Sequence, residues 1–243
     1  MGNETSKSDN KGRIITISAP QGGLQMVPTP ERDPQGAPVR HRDFDINRAN
    51  LLVAFQHMAE YLQSQNADVT VVAVGGAVNT IYLQNREVTH DVDFFGGNEQ
   101  SRLLKDASKY AQQESKIQLG ANWLNNATTL FIPLALQARI IQAAMQQNVV
   151  LFREKGLTVL AAPWDYAFCG KTNRMGGPDE RPYDCKDAVG YLREYILSNG
   201  EKPVKAREIE EWGKIYGKMV TTCALKQISS SYEQAYGQDG IIF

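Results

Sequence analysis

Between residues 46 and 65, apolar positions recur at helical spacing. Leu51, Leu52, Phe55, Met58, Ala59 and Leu62 share one face, and Asp45 stands where a cap is needed. Residues 66–68 break the pattern, and the β-branched run 69–74 predicts a buried strand. Gly75-Gly76 closes it and a short helix is expected over 77–84, followed by a second strand over 91–95 that ends at Gly96-Gly97. Helical spacing returns at 99–114 and 135–147, a hairpin is expected from 149–152 and 157–161, and Pro163 opens a helix running to Lys171. The loop 175–182 holds two glycines and two prolines, and helices follow over 184–197, with Asp184 as cap, and 205–219. The expected fold is α+β, with a mixed sheet and flanking helices followed by a helical C-terminal part. Trp123, Trp164 and Trp212 fit core anchors. Residues 229–243 carry no strong pattern, although Ile241, Ile242 and Phe243 could dock on the domain.

The first 43 residues differ in kind. They hold five of the ten prolines and only one short apolar run, 14–17, so they predict a disordered extension, ahead of a core over 44–162 and a helical part over 163–243. Their opening, Met1-Gly2-Asn3-Glu4-Thr5-Ser6, fits the pattern for myristoylation of Gly2. One such chain with Lys7, Lys11 and Arg13 nearby would give weak, reversible peripheral membrane contact.

Charge is nearly balanced, 26 Lys+Arg against 27 Asp+Glu, which excludes a strongly basic nucleic-acid coat protein but leaves room for a local basic groove. No stretch approaches the ~18 consecutive apolar residues of a membrane span, so an integral membrane protein is not expected. Cys169, Cys185 and Cys223 are scattered and odd in number, which suits reduced thiols in a cytoplasmic protein and argues against zinc.

Candidate chemistry lies between Val74 and Gly96. Residues two apart in a strand share a face, so Asp91 and Asp93 project together while Val92 and Phe94 face the core. Adjacent carboxylates repel unless they share a proton or a hard cation, and Mg²⁺ held by one or two carboxylates plus substrate phosphates is a common arrangement. A Gly75-Gly76 turn lets backbone N–H groups approach a phosphate at a helix start, and Arg86 and Thr89 could add a guanidinium and a hydroxyl. Either half alone is common: an Asp-x-Asp strand is often a solvated edge, and paired glycines often only a tight turn.

In the order hydrophobic strand, Gly75-Gly76, short helix, Asp91-Val92-Asp93, the sequence resembles the nucleotidyltransferase superfamily of polymerase-β-type fold. The Arg86, Thr89, Asp91, Asp93 run is most similar to its AbiEii-type and DUF6036-type minimal branches. Trp123-Leu124-Asn125-Asn126 is similar to a W-L-N-D stretch of the DUF6036-type proteins. The strand 156–161, the helix with Lys171 and the pair Lys186-Asp187 follow in a similar order, so the resemblance spans about residues 45–200. It implies that Asp91 and Asp93 hold Mg²⁺ (or Mn²⁺), that Gly75 and Gly76 cradle phosphate beside Arg86 and Thr89, that Lys171 contacts the triphosphate, and that Lys186-Asp187 lines or braces the pocket.

The sequence departs from that pattern in one important place. Active members of the superfamily carry a third carboxylate on a neighbouring strand, which completes a two-metal site and serves as base. No hydrophobic-acid-hydrophobic strand follows Phe95; Asn126 stands where an acid could be, and Glu154 and Asp165 are poor substitutes. Two functions are therefore expected from the resemblance. One is transfer of a nucleoside monophosphate from a magnesium-bound nucleoside triphosphate such as ATP to a hydroxyl on a small molecule, RNA end or protein. The other is a catalytically inactive relative that binds nucleotide, RNA or a protein partner. A histidine-based hydrolytic site has little support, since His57 lies on an apolar helix face and His90 points away from Asp91.

Overall fold

The computed structural model of the chain describes residues 26–28, 31–39, 41–97 and 100–243; Gly2 and the run 14–17 lie outside the described residues. Strand β1 (Ile46–Asn47) leads into helix α1 (Arg48–Ser64), which buries Leu51, Ala54, Phe55, Met58, Ala59 and Leu62. Its cap is Asn47, whose side chain accepts the Asn50 N–H at 2.9 Å, and not Asp45, which pairs with His90 Nε2 at 2.9 Å. Strand β2 (Val69–Val74) passes through Gly75 into helix α2 (Gly76–Ile81). Strands β3 (Val88–Thr89) and β4 (Val92–Phe95) follow, then helix α3 (Ser101–Glu114) and strand β5 (Leu124–Asn125). A 3₁₀ turn (Ala127–Phe131) leads to helix α4 (Leu134–Gln147) and the hairpin of β6 (Val150–Glu154) with β7 (Leu157–Ala161). Helices α5 (Trp164–Thr172) and α6 (Asp184–Ser198), strand β8 (Val204–Lys205), helices α7 (Ala206–Tyr216) and α8 (Thr222–Tyr236) and strand β9 (Ile241–Ile242) complete the chain.

The class is α+β, as expected, built on a mixed five-stranded sheet in the order β5-β4-β2-β7-β6. Strand β2 runs antiparallel to β4 and parallel to β7, and β4 runs parallel to β5. Side chains on both faces of the interior strand β2 are buried, which is why its sequence is a near-continuous β-branched run instead of an alternating one. Helix α1 packs against α3, and α5 packs against α6. Trp123, Trp164 and Trp212 are all buried in one hydrophobic core that runs from Ile46 to Ile241 and joins the sheet to the C-terminal helices. Within the proline-rich segment, Met26 is buried and its carbonyl accepts the Asn126 N–H at 3.3 Å, while Arg32 and Pro38 form an isolated bridge. No helix among the described residues is long and apolar enough to cross a membrane.

Helix α8 is the element the periodicity did not announce. Its buried stripe is narrow, Ala224, Leu225, Ile228 and Tyr232, and the Ser229-Ser230-Ser231 run dilutes it. Thr221 caps it by accepting the Ala224 N–H, and Gly237 ends it in the left-handed conformation, so its signals were in the caps. Helix α7 also ends earlier than expected, at Gly217 with φ of 61°, and Lys214 pairs with Glu211 on its exposed face.

Candidate functional site

The strand register places the two halves of the sequence motif side by side. Val74, the last residue of β2, pairs with Asp93 of β4, so the aspartates emerge next to Gly75-Gly76. Gly75 has φ of 67° and ψ of −126°, which a side chain would strain, and its carbonyl accepts from Asn79 Nδ2 at 2.8 Å and from the Tyr191 hydroxyl at 3.3 Å. Gly76 lies against Thr89, whose hydroxyl donates to the Asp91 carbonyl at 3.0 Å. A Cβ on Gly76 would overlap the Thr89 side chain, so Gly76→Ala should destabilise the fold by about 1–3 kcal/mol. Adding Thr89→Ala should recover part of that loss. Urea denaturation of the single and double variants checks this, and additive losses would show that the two residues do not meet.

These residues border a cleft of about 750 Å³ between the ends of β2 and β4 and helices α5 and α6. Burial, reinforced by the neighbouring Asp91 carboxylate, pushes the Asp93 carboxyl up to about 6. Burial also raises Asp91, against the Asn125 hydrogen bond that favours its charged form. Asn125 lies on β5 directly beside Asp93 in the parallel register and donates to Asp91 Oδ2 at 3.4 Å. Its own carbonyl oxygen accepts the Ala127 N–H at 3.0 Å, so the amide turns its NH₂ toward the aspartates. The residue that the neighbouring strand sets beside the aspartates is Asn125, and its amide NH₂ is a donor there. Glu154 is on the opposite edge strand, and Asp165 accepts from the Tyr216 hydroxyl at 2.7 Å.

No group of three or more acidic, histidine or cysteine side chains suited to a metal occurs among the described residues. The donor set at Asp91 and Asp93 fits one hard divalent ion that completes its shell with phosphate oxygens and water, as Mg²⁺ does. It does not fit two ions, because the third position offers N–H groups.

The cations around the cleft are arranged in a way the sequence did not reveal. Asp184 and Asp187 on α6 are fully buried beneath the cleft floor. Asp187 takes Arg86 through two hydrogen bonds and Lys171 Nζ at 2.5 Å; Asp184 takes Lys171 Nζ at 3.3 Å and both Arg174 Nε at 3.0 Å and Arg174 Nη2 at 2.7 Å. Asp184 is thus the first residue of α6 and an ion-pair hub, and Tyr183 occupies the cap position. The Arg86 guanidinium also stacks over the Tyr183 ring at 3.5 Å. Burial would lower its pKa, but the Asp187 bond and charge outweigh this and hold it above its ordinary value. Burial lowers the Lys171 pKa against the opposing pull of Asp187.

The structure therefore brings Gly75, Gly76, Arg86, Thr89, Asp91, Asp93 and Lys171 to one cleft. Lys171 reaches it with its ammonium held by two buried carboxylates. Lys186 does not line it; the side chain is exposed elsewhere on α6. Sequence reasoning assigned no role to Arg174, Arg181 and Lys218, which lie in loops and after a helix end where no periodicity marks them, or to the exposed ring of Phe131 on the rim.

Comparison with known proteins adds the family. Residues 45–239 match the family described as a domain of unknown function (DUF7582), and the chain belongs to that family. No curated protein and no solved structure matches the chain.

Proposed function

We propose that the cleft binds a nucleoside triphosphate together with one divalent ion, Mg²⁺ or Mn²⁺, in the manner of a nucleotidyltransferase-type site. The observation that carries this reading is the register of Val74 with Asp93, which sets a carboxylate pair beside a glycine turn at the mouth of a cation-lined cleft. Asp91 and Asp93 hold the ion, and the ion, when bound, supplies charge neutralisation at the phosphates. Helix α2 has only six residues, so any phosphate cradle rests on the Gly75–Gly76 backbone and the cations, not on a helix dipole.

The aspartate pair itself favours a second reading, nucleotidyl transfer. Phosphate binding alone needs only cations, and two carboxylates in an anion site oppose it unless they manage an ion. In that reaction an acceptor hydroxyl on a small molecule, RNA end or protein attacks the α-phosphorus. The bond to the β-phosphate breaks, pyrophosphate leaves and the hydroxyl proton passes to a base. Asn125 cannot take that proton, which is why binding is the first reading and transfer the second.

Calorimetric titration of Mg²⁺–ATP and Mg²⁺–GTP into the wild type and an Asp91→Asn/Asp93→Asn variant tests the binding. Magnesium-dependent heat that vanishes in the variant is expected. Absence of binding for both nucleotides in the wild type would sink it. Pyrophosphate release with ATP and candidate acceptors then separates transfer from binding alone.

A further inference from the structure

Three of the cations bordering the cleft are already paired: Arg86, Lys171 and Arg174 each face Asp184 or Asp187. Lys218 differs. It is half-buried in the cleft wall, and among the described residues no acceptor holds its Nζ. Its charged neighbour is another cation, Arg174, and burial and that neighbour both lower its pKa. A partly desolvated ammonium in a cleft wall, with no counter-ion beside it, is a candidate for a ligand that supplies the missing charge.

The turn that delivers Lys218 is built with care for its position. Gly217 ends α7 in the left-handed conformation, and the Lys218 N–H donates to the Gly213 carbonyl at 2.8 Å. The next N–H, of Met219, donates to Asn173 Oδ1 at 2.7 Å, tying the turn to the end of α5. A Cβ on Gly213 would come within 2.8 Å of the Lys218 carbonyl, so the close approach requires glycine there. The charges form a path: Arg181 and Arg174 act on Asp93, and Arg174 acts in turn on Lys218. All three cations line the same cleft as Asp91 and Asp93.

We propose that Lys218 binds the terminal phosphate of the nucleotide, so that the cleft selects triphosphates over monophosphates. This rests on the nucleotide reading above. The guanidinium of Arg181, which donates to the Tyr183 hydroxyl at 3.3 Å, serves the phosphate nearer the aspartates.

The test compares wild type, Lys218→Met and Lys218→Arg for binding of Mg²⁺–ATP, Mg²⁺–AMP and magnesium tripolyphosphate. Lys218→Met should weaken ATP and tripolyphosphate by about tenfold or more, the loss of one charge-assisted hydrogen bond, and leave AMP within about twofold. Lys218→Arg should retain most of the affinity. The ligand-free melting temperature of Lys218→Met should equal or exceed that of the wild type, since an unpaired cation is removed, whereas a structural lysine would lower it. Wild-type-like ATP binding in Lys218→Met would overturn the inference and leave the nucleotide reading intact. Equal losses for ATP and AMP, or a lowered ligand-free melting temperature, would also overturn it. Lys218-dependent tripolyphosphate binding without nucleotide binding would keep the phosphate site and reject the nucleotide. Binding of none of the three by the wild type would overturn both.

Discussion

Asp187→Asn should cost about 3–5 kcal/mol of stability, because it breaks a fully buried ion pair and leaves its partners charged and unsatisfied. For a chain of this size that corresponds to a fall in melting temperature of roughly 10 °C. In the wild type three cations, Arg86, Lys171 and Arg174, face two carboxylates, Asp184 and Asp187. One positive charge is in surplus, and all three cations line the cleft. Removing the Asp187 charge leaves three cations around one carboxylate in a low-dielectric setting, where their mutual repulsion is poorly screened. The loss should shrink when Lys171→Met is added, since the most buried of the stranded cations then disappears. Circular-dichroism melts of the single and double variants measure this directly. A single variant that melts within about 2 °C of the wild type would mean that the cluster does not hold α5 against α6.

At the aspartate pair the expected effect is on both binding and pH dependence. Asp93→Asn should weaken magnesium-dependent nucleotide binding by about 100-fold or more, the loss of an ionic ligand and of much of the site's affinity for a divalent ion. In the metal-free protein it should act on stability in the opposite direction. The folded Asp93 keeps its proton up to about 6, whereas the unfolded side chain releases it near 3.8. Between those values the folded state binds more protons, so stability declines as pH rises from about 4 to about 6 and stays lower above it. Asp93→Asn removes that decline and should stabilise the metal-free protein at neutral pH. Magnesium should stabilise the wild type at pH 7, in proportion to its occupancy, and leave the variant unmoved. Denaturation midpoints at pH 4.5 and pH 7, with magnesium and with chelator, separate these outcomes. A wild-type midpoint that rises between those pH values under chelator would contradict the proton linkage.

The apolar periodicity of residues 46–65 and the β-branched run 69–74 specify α1 and β2 from local information alone, because burial of a face depends on spacing along the chain. The glycine turn and the Asp91, Asp93 pair were legible for the same reason: their geometry is set within one or two residues. Helix α8 was not, since its narrow stripe becomes apolar only against the core that receives it. Nor did Asp184 and Asp187 declare themselves. On a sequence they look like the start of a solvated helix, and only the packing of α6 on α5 strips their water and turns them into hubs for Arg86, Lys171 and Arg174. Asn125 could be recognised as the neighbour of the aspartates only once the parallel register set β5 beside Asp93. The sequence by itself determined the elements and the presence of a paired-carboxylate, glycine-turn motif. The tertiary structure alone decided which charges pair with one another and which, like that of Lys218, lack a counter-charge among the described residues, because charge pairing depends on distances across the fold that no local pattern encodes.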